Sequence, residues 1–335
     1  MNGQRMGALA LAVAGLVLGA SANARAQTPE EVIQRHVATA REAAGTEHIS
    51  LFNLLCPDVP GATEEEAVPT PPAGLPATPG REEWYTEPVQ VFDNLYYVGQ
   101  TEYSAWALTT SAGIIVIDAV YDYSVEAEIA DGLRKMGLDP NDIEYVIISH
   151  GHGDHVGGAA YLQEEFGARV VMSEADWDLV EASTASWPKP RRDIVATDGQ
   201  QIRLGDTTVT LYLTPGHTPG TISTILPVRD GTRTHVAAAW GGTAFNFRGS
   251  EEFPRDYWLR TYRDSAERFR AIARAAFADV LIANHPRFDR TTTKLPALAE
   301  RGPDDPHPYV IGNDQVSAYL TVAIECAEAT RLAEE

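Results

Sequence analysis

The stretch Ser149-His150-Gly151-His152-Gly153-Asp154-His155-Val156-Gly157-Gly158 constrains this chain more than any other. Three histidines and an aspartate fall within six residues, directly after the apolar run Tyr145-Val146-Ile147-Ile148, which reads as a buried strand. A strand that ends in a glycine-spaced turn can aim several side chains at one point. In His150-x-His152 the two imidazoles point the same way on an extended turn, while Asp154 and His155 point toward a second position nearby. That pattern suits two metal ions side by side. Imidazole and carboxylate are donors that zinc accepts, usually with four-coordinate geometry, so one segment cannot close both sites. Two later histidines stand at strand ends. His217 lies in Leu213-Thr214-Pro215-Gly216-His217-Thr218-Pro219-Gly220, and His285 follows Val280-Leu281-Ile282-Ala283-Asn284. His36 and His48 are expected at the surface, and His235 and His307 fall outside the pattern.

The run resembles the His-x-His-x-Asp-His signature of the metallo-β-lactamase superfamily, and the segments around His217 and His285 are similar to its third and final metal motifs. The resemblance covers about Val89 to Ala283 and, weakly, the C-terminal helix. It implies an α+β fold, the four-layer αβ/βα sandwich, with the site at one edge. It implies two zinc ions, the first held by His150, His152 and His217, the second by Asp154, His155 and His285. The reaction it implies is attack of metal-bound hydroxide on the carbonyl of a small-molecule substrate, with Asp154 also holding the hydroxide in line. Asp118 closes the apolar run Ile114 to Ile117. It is either a strand-end turn residue or, as the resemblance implies, a buried group that holds the metal turn by hydrogen bonds. Trp187, in a Pro-rich loop, is either a packed surface aromatic or a lid over the substrate; the resemblance favours the lid.

Two departures bear on the substrate. Many hydrolases of that superfamily carry a bridging aspartate after the strand that follows the third motif, whereas Ala238-Ala239-Trp240-Gly241-Gly242-Thr243-Ala244-Phe245 contains no acid. This looks like the third subgroup of class B β-lactamases, and less like glyoxalase II or the lactonases. Glycines also stand where that subgroup often has a serine, which leaves Thr243 as the hydroxyl expected to touch substrate. Opening of β-lactam rings is therefore the first expectation. Hydrolysis of another amide or an ester, such as a lactone, is the second, and metal binding without catalysis is a third that the full ligand set disfavours.

Arg5, the apolar segment Gly7 to Ala20 and Ala24-Arg25-Ala26 read as a secretory signal over 1–26, so a periplasmic or secreted protein is expected. The formal charge of -21 argues against nucleic acid and anionic membrane as partners. Hydrophobic residues make up 44% of the chain, enough for a substantial core. Residues 27–83 read as an extension, with a helix from Pro29 to Ala44 and a Pro-rich linker from Pro57 to Gly80, and 84–335 as the hydrolase domain. Cys56 and Cys326 fit one disulfide or two separate buried thiols, and an oxidising compartment favours the bridge. Hairpins are expected around Asp93-Asn94 and Ser111-Ala112. Helices are expected from Tyr123 to Met136, after Gly157-Gly158, from Glu174 to Glu181, from Pro254 to Phe277 and from Asp314 to Glu335.

Overall fold

The computed structural model describes residue 1 and residues 27–56, 59, 78–247 and 249–335. Nearly all of the expected signal segment and most of the Pro57–Gly80 linker lie outside the described residues. Two sheets form the middle of the molecule. The first runs in chain order through β1 (Val89–Phe92), β2 (Leu95–Tyr97), β3 (Trp106–Thr110), β4 (Gly113–Ile117), β5 (Ile143–Ile147), β6 (Arg169–Ser173) and β7 (Ile194–Ala196). Its first four strands pair antiparallel through the two expected hairpins, and the last four pair parallel. Parallel neighbours need crossovers, and helices supply them. A π-helical turn at Glu126–Ala130 runs into α4 (Asp131–Lys135), while α6 (Ala159–Phe166) and α7 (Glu174–Ala182) follow β5 and β6.

The second sheet contains β8 (Gln201–Leu204), β9 (Thr207–Leu213), β10 (Ile222–Asp230), β11 (Arg233–Trp240) and β12 (Val280–Ala283), in the order β12-β11-β10-β9-β8. Between β11 and β12 the chain crosses over through α8 (Arg255–Ala275), so β12 pairs parallel to β11. Alternation along β9 turns Val209 and Leu211 inward, where they meet Leu95, Trp106, Ile115, Ile117 and Ile147 of the first sheet. This is the inter-sheet core. Outside the first sheet, Ile129, Leu133, Leu162, Trp177 and Val180 pack on Ile114, Val116, Val146 and Val170. Outside the second, Tyr262 and Phe269 of α8 and Tyr319 and Ala323 of α10 (Asn313–Ala333) pack on Ala238, Trp240 and Leu281. The result is the expected αβ/βα sandwich with three apolar layers.

The N-terminal residues join the outer helical layer. α1 (Pro29–Ala44) starts at a Thr28/Glu31 capping box with Pro29 in the first turn, which satisfies orphan N–H groups at the helix start. Its buried stripe Ile33, Val37, Ala40 and Ala44 follows helical spacing and packs with α10. α2 (Ile49–Leu55) leads to Cys56, which is disulfide-bonded to Cys326 of α10. The bridge, not the pair of thiols, is the outcome. Glu47 pairs with Lys294 at 2.9 Å and Arg290 at 2.8 Å, tying this extension to α9 (Thr291–Ala299) and to the segment after β12. His48, expected at the surface, is buried. Its Nε2 bonds the Gln315 carbonyl at 2.9 Å and its ring meets the edge of Tyr319, because α2 turns that face onto α10. His307 is also buried, stacked on Phe92 with centroids 4.0 Å apart. No helix among the described residues is long and apolar enough to cross a membrane.

Candidate metal centre

The turn after β5 carries His150 and His152, then opens the one-turn helix α5 (Gly153–Val156), which carries Asp154 and His155. His217 arrives from the turn between β9 and β10, and His285 from the end of β12. His150 Nε2 and His217 Nε2 approach to 3.1 Å, and His152 Nδ1 stands 3.1 Å from His217 Nε2. The opposite ring nitrogens are occupied. His150 Nδ1 donates to the Gly241 carbonyl at 2.8 Å and His217 Nδ1 to the Ala244 carbonyl at 2.6 Å. Those bonds fix the tautomers, so the facing Nε2 atoms present lone pairs to each other. A cation between them removes the repulsion. The ligand atoms of a tetrahedral zinc site with bonds of about 2.0–2.1 Å stand roughly 3.3 Å apart, close to the spacing found.

A second group lies alongside. Asp154 Oδ2 is 3.2 Å from His155 Nε2 and 3.9 Å from His285 Nε2. His155 Nε2 is buried and makes no hydrogen bond of acceptable geometry, as expected of an atom poised to ligate. His155 Nδ1 and His285 Nδ1 are held by Asp118 Oδ2 and the Glu102 carbonyl, each at 3.0 Å. His150 stands between the groups, its ring 4.3 Å from that of His217 and 4.2 Å from that of His155. The tight donor clusters are His150 with His152 and His217, and His150 with Asp154 and His155. His285, expected in the second set, lies outside both tight clusters, its Nε2 3.9 Å from Asp154 Oδ2 at a more open position.

Electrostatics favour ligation by four of the histidines. Burial, together with the neighbouring histidines, holds His150 well below its ordinary value, and burial also lowers His152. Burial is the main cause that brings His217 to about 3 and His285 to about 4. These four rings are neutral at pH 7, the form a metal needs. Burial alone would raise Asp154, but the attraction of His155, and then of His285, outweighs it and keeps the carboxylate ionised. Burial would lower His155, yet the carboxylates of Asp154 and Asp118 outweigh it and raise its pKa.

The supporting groups are specific. Asp118 adopts φ 61° and is buried. Besides holding His155, its Oδ1 accepts from the Ser149 N–H at 2.7 Å and its Oδ2 from Ser149 Oγ at 2.9 Å. Asp176, which the sequence reading missed, accepts from the Gly151 and Gly220 N–H groups and from Thr218 Oγ1 at 2.8–2.9 Å, tying the first ligand turn to the His217 turn. In sequence it is one acid in the first turn of a helix, a position acids occupy for the helix dipole alone. Asn284 Nδ2 donates to the Gly241 carbonyl at 3.0 Å; its place beside His285 is the one signal that pointed to it.

Both expected substrate contacts are corrected. Thr243 is buried: its Oγ1 donates to Asn284 Oδ1 at 3.2 Å and its carbonyl accepts from Tyr262 Oη at 2.8 Å. It shapes the loop after β11 from inside. Trp187 is buried too, with its indole nitrogen 3.0 Å from where a Cβ on Gly153 would stand. It braces α5 from within the core.

Residues 98–231 match the model of the metallo-beta-lactamase superfamily. The chain carries a metallo-beta-lactamase superfamily domain. Among solved structures it is similar to BJP-1, a subclass B3 metallo-beta-lactamase of Bradyrhizobium japonicum, at 29% identity and a TM-score of 0.63, over 74% of this chain and 94% of that one. It is similar to the Rm3 metallo-beta-lactamase at 28% identity and a TM-score of 0.64, over 75% and 96% of the two chains. Among curated relatives, a hydroxyacylglutathione hydrolase of Acidiphilium cryptum (strain JF-5) is 34% identical over 120 residues, 36% of this chain and 43% of that protein. The chain spans 43–59% of the length of the first curated relatives it matches.

Proposed function

We propose that the protein is a secreted two-zinc hydrolase that opens β-lactam rings. One observation carries the choice within the family. At the end of β11, where a bridging acid stands in glyoxalase II and the lactonases, the chain has Gly241-Gly242 packed too closely for any side chain. A Cβ at Gly241 would stand 1.9 Å from the Ile222 carbonyl oxygen, and one at Gly242 would stand 2.3 Å from His217 Cβ. Asp154 is therefore the carboxylate of the two ligand groups, as in the third subgroup. The likeness to the subclass B3 enzyme BJP-1 supports this reading. The Cys56–Cys326 disulfide suits export to an oxidising compartment.

His150, His152 and His217 would hold the first ion, and Asp154, His155 and His285 the second; when bound, zinc supplies an activated water and polarises the substrate carbonyl. Three neutral imidazoles would leave the first ion's positive charge undiminished. The ionised Asp154 carboxylate would accept a hydrogen bond from the attacking water and hold it in line. Asp118 pins His155 with Nε2 facing inward, and Asp176 keeps the two ligand turns in register.

The hydroxyacylglutathione hydrolase relative favours a second reading, hydrolysis of a thioester or another ester such as a lactone. The test is turnover of nitrocefin, S-lactoylglutathione and a lactone by the zinc-loaded protein, with and without chelator. Nitrocefin hydrolysis that stops on chelation supports the first reading. Chelator-sensitive thioester or lactone turnover without nitrocefin turnover moves the assignment to the second. Hydrolysis indifferent to chelation refutes the metal centre.

A further inference from the structure

Beside the first ligand group, His152 and His217 form the inner wall of an open cleft of about 320 Å³. Its outer wall is aromatic. Phe247 and Phe253 come from the loop between β11 and α8, Trp258 from the first turn of α8, and Leu179 of α7 joins them. The Phe247 and Phe253 rings lie 6.2 and 6.1 Å from that of Trp258. Leu179, Phe253 and Tyr257 are 37–43% exposed, and they are three of the six large apolar side chains exposed among the described residues. Tyr257 extends the wall outward, 5.0 Å from Phe253. A concave cleft with an apolar wall that opens onto reactive groups marks a ligand site.

The wall is built in advance of any ligand. Arg255 Nη1 donates to the Phe247 carbonyl at 2.8 Å, with its guanidinium 5.3 Å over the Phe247 ring and its charge met by Glu334. The Ser250 N–H donates to the Phe253 carbonyl at 2.7 Å, and the Phe253 N–H donates back to Ser250 Oγ at 3.0 Å. Pre-ordering lowers the cost of binding.

We propose that Phe247, Phe253 and Trp258 form a specificity subsite that takes an aryl substituent of the substrate. The proposal rests on the zinc-hydrolase reading of the site and extends it to the part of the substrate that does not react. The cleft's volume suits a six-membered ring with its linker, and the ring edges and faces lining it favour an offset or edge-on aromatic partner.

The experiment measures binding to the zinc-loaded protein by calorimetry, independently of which bond the enzyme cleaves. The probes are mercaptoacetic acid and 2-mercapto-3-phenylpropanoic acid, which share a metal-directed thiol and carboxylate and differ by a benzyl group. The phenyl compound is expected to bind roughly 10-fold or more tighter, as burial of one aromatic ring predicts. Phe253→Ala and Trp258→Ala are each expected to erase most of that ratio while the affinity for mercaptoacetic acid and the melting temperature stay unchanged. Equal affinities in the wild type, or variants that weaken both thiols alike, would overturn the subsite alone. Failure of both thiols to bind the wild type would overturn the zinc reading and the subsite with it.

Discussion

Asp118→Asn isolates how the second ligand group is held. Asparagine tolerates the left-handed backbone at this position, so the change acts on hydrogen bonds. The carboxylate now accepts three: from the Ser149 N–H, from Ser149 Oγ and from His155 Nδ1. With the amide oxygen kept on the Ser149 N–H, the amide nitrogen faces the Nδ1 proton of His155, donor against donor. The ring must tilt or move its proton to Nε2, and either change withdraws the lone pair from Asp154 and the ion. With the amide flipped, the Ser149 N–H is left buried and unpaired. Losing one buried bond to a charged acceptor costs about 1.5–3 kcal/mol, which weakens binding at the second position by roughly 10- to 100-fold. Zinc titration against a chromogenic chelator should show two binding events in the wild type. In the variant the weaker event should shift by that factor while the event at His150, His152 and His217 moves less than about threefold. A second event of wild-type affinity, in a variant that melts normally, would refute the reasoning.

Other perturbations have worked signs. Cys56→Ser should destabilise by about 2–5 kcal/mol, because the bridge closes a loop with a sequence separation of 270; a scan under non-reducing conditions should place Tm roughly 4–8 °C lower. Burial lowers His48 to about 4, so the unfolded chain takes up its proton first as pH falls. Its contribution, whole above pH 6.5, should fade as pH drops toward 4, by about 3 kcal/mol in all, and Tm against pH should be flatter over that window in His48→Gln. Glu128 has the opposite sign: burial raises it to about 8, so its contribution is whole below pH 4.5 and lost as pH rises to 8, a slope that Glu128→Gln should remove. Gly242→Ala should displace His217 and cut zinc affinity at the first position at least tenfold, read in the same chelator titration.

The cluster of candidate ligands was legible because its geometry is local. Glycine spacing after an apolar strand fixes where His150, His152, Asp154 and His155 point, and His217 and His285 also end strands. The two hairpins likewise followed from their turn residues. The cleft was not legible. Whether Thr243 and Trp187 face substrate depends on the path of two loops through a packed interior, and nothing in their sequence neighbours reports that path. The aromatic wall was missed for the same reason: Phe247 and Phe253 meet Trp258 only once the loop folds back on α8. His48 was misplaced because its burial comes from a helix more than 260 residues away.

The Glu47 ion pairs make the first helices inseparable from the catalytic fold. Lys294 is buried, and Glu47 is its carboxylate partner at 2.9 Å. Arg290 and Lys294 stand five and nine positions beyond His285, on the same excursion of the chain. A shortened protein beginning at Trp84 would take the paired carboxylate from a buried lysine and bare the face of α10 that α1 covers. What looks like a detachable extension is thus a foundation under the segment that follows His285. Grafting or minimising this fold has to carry α1 and α2 along.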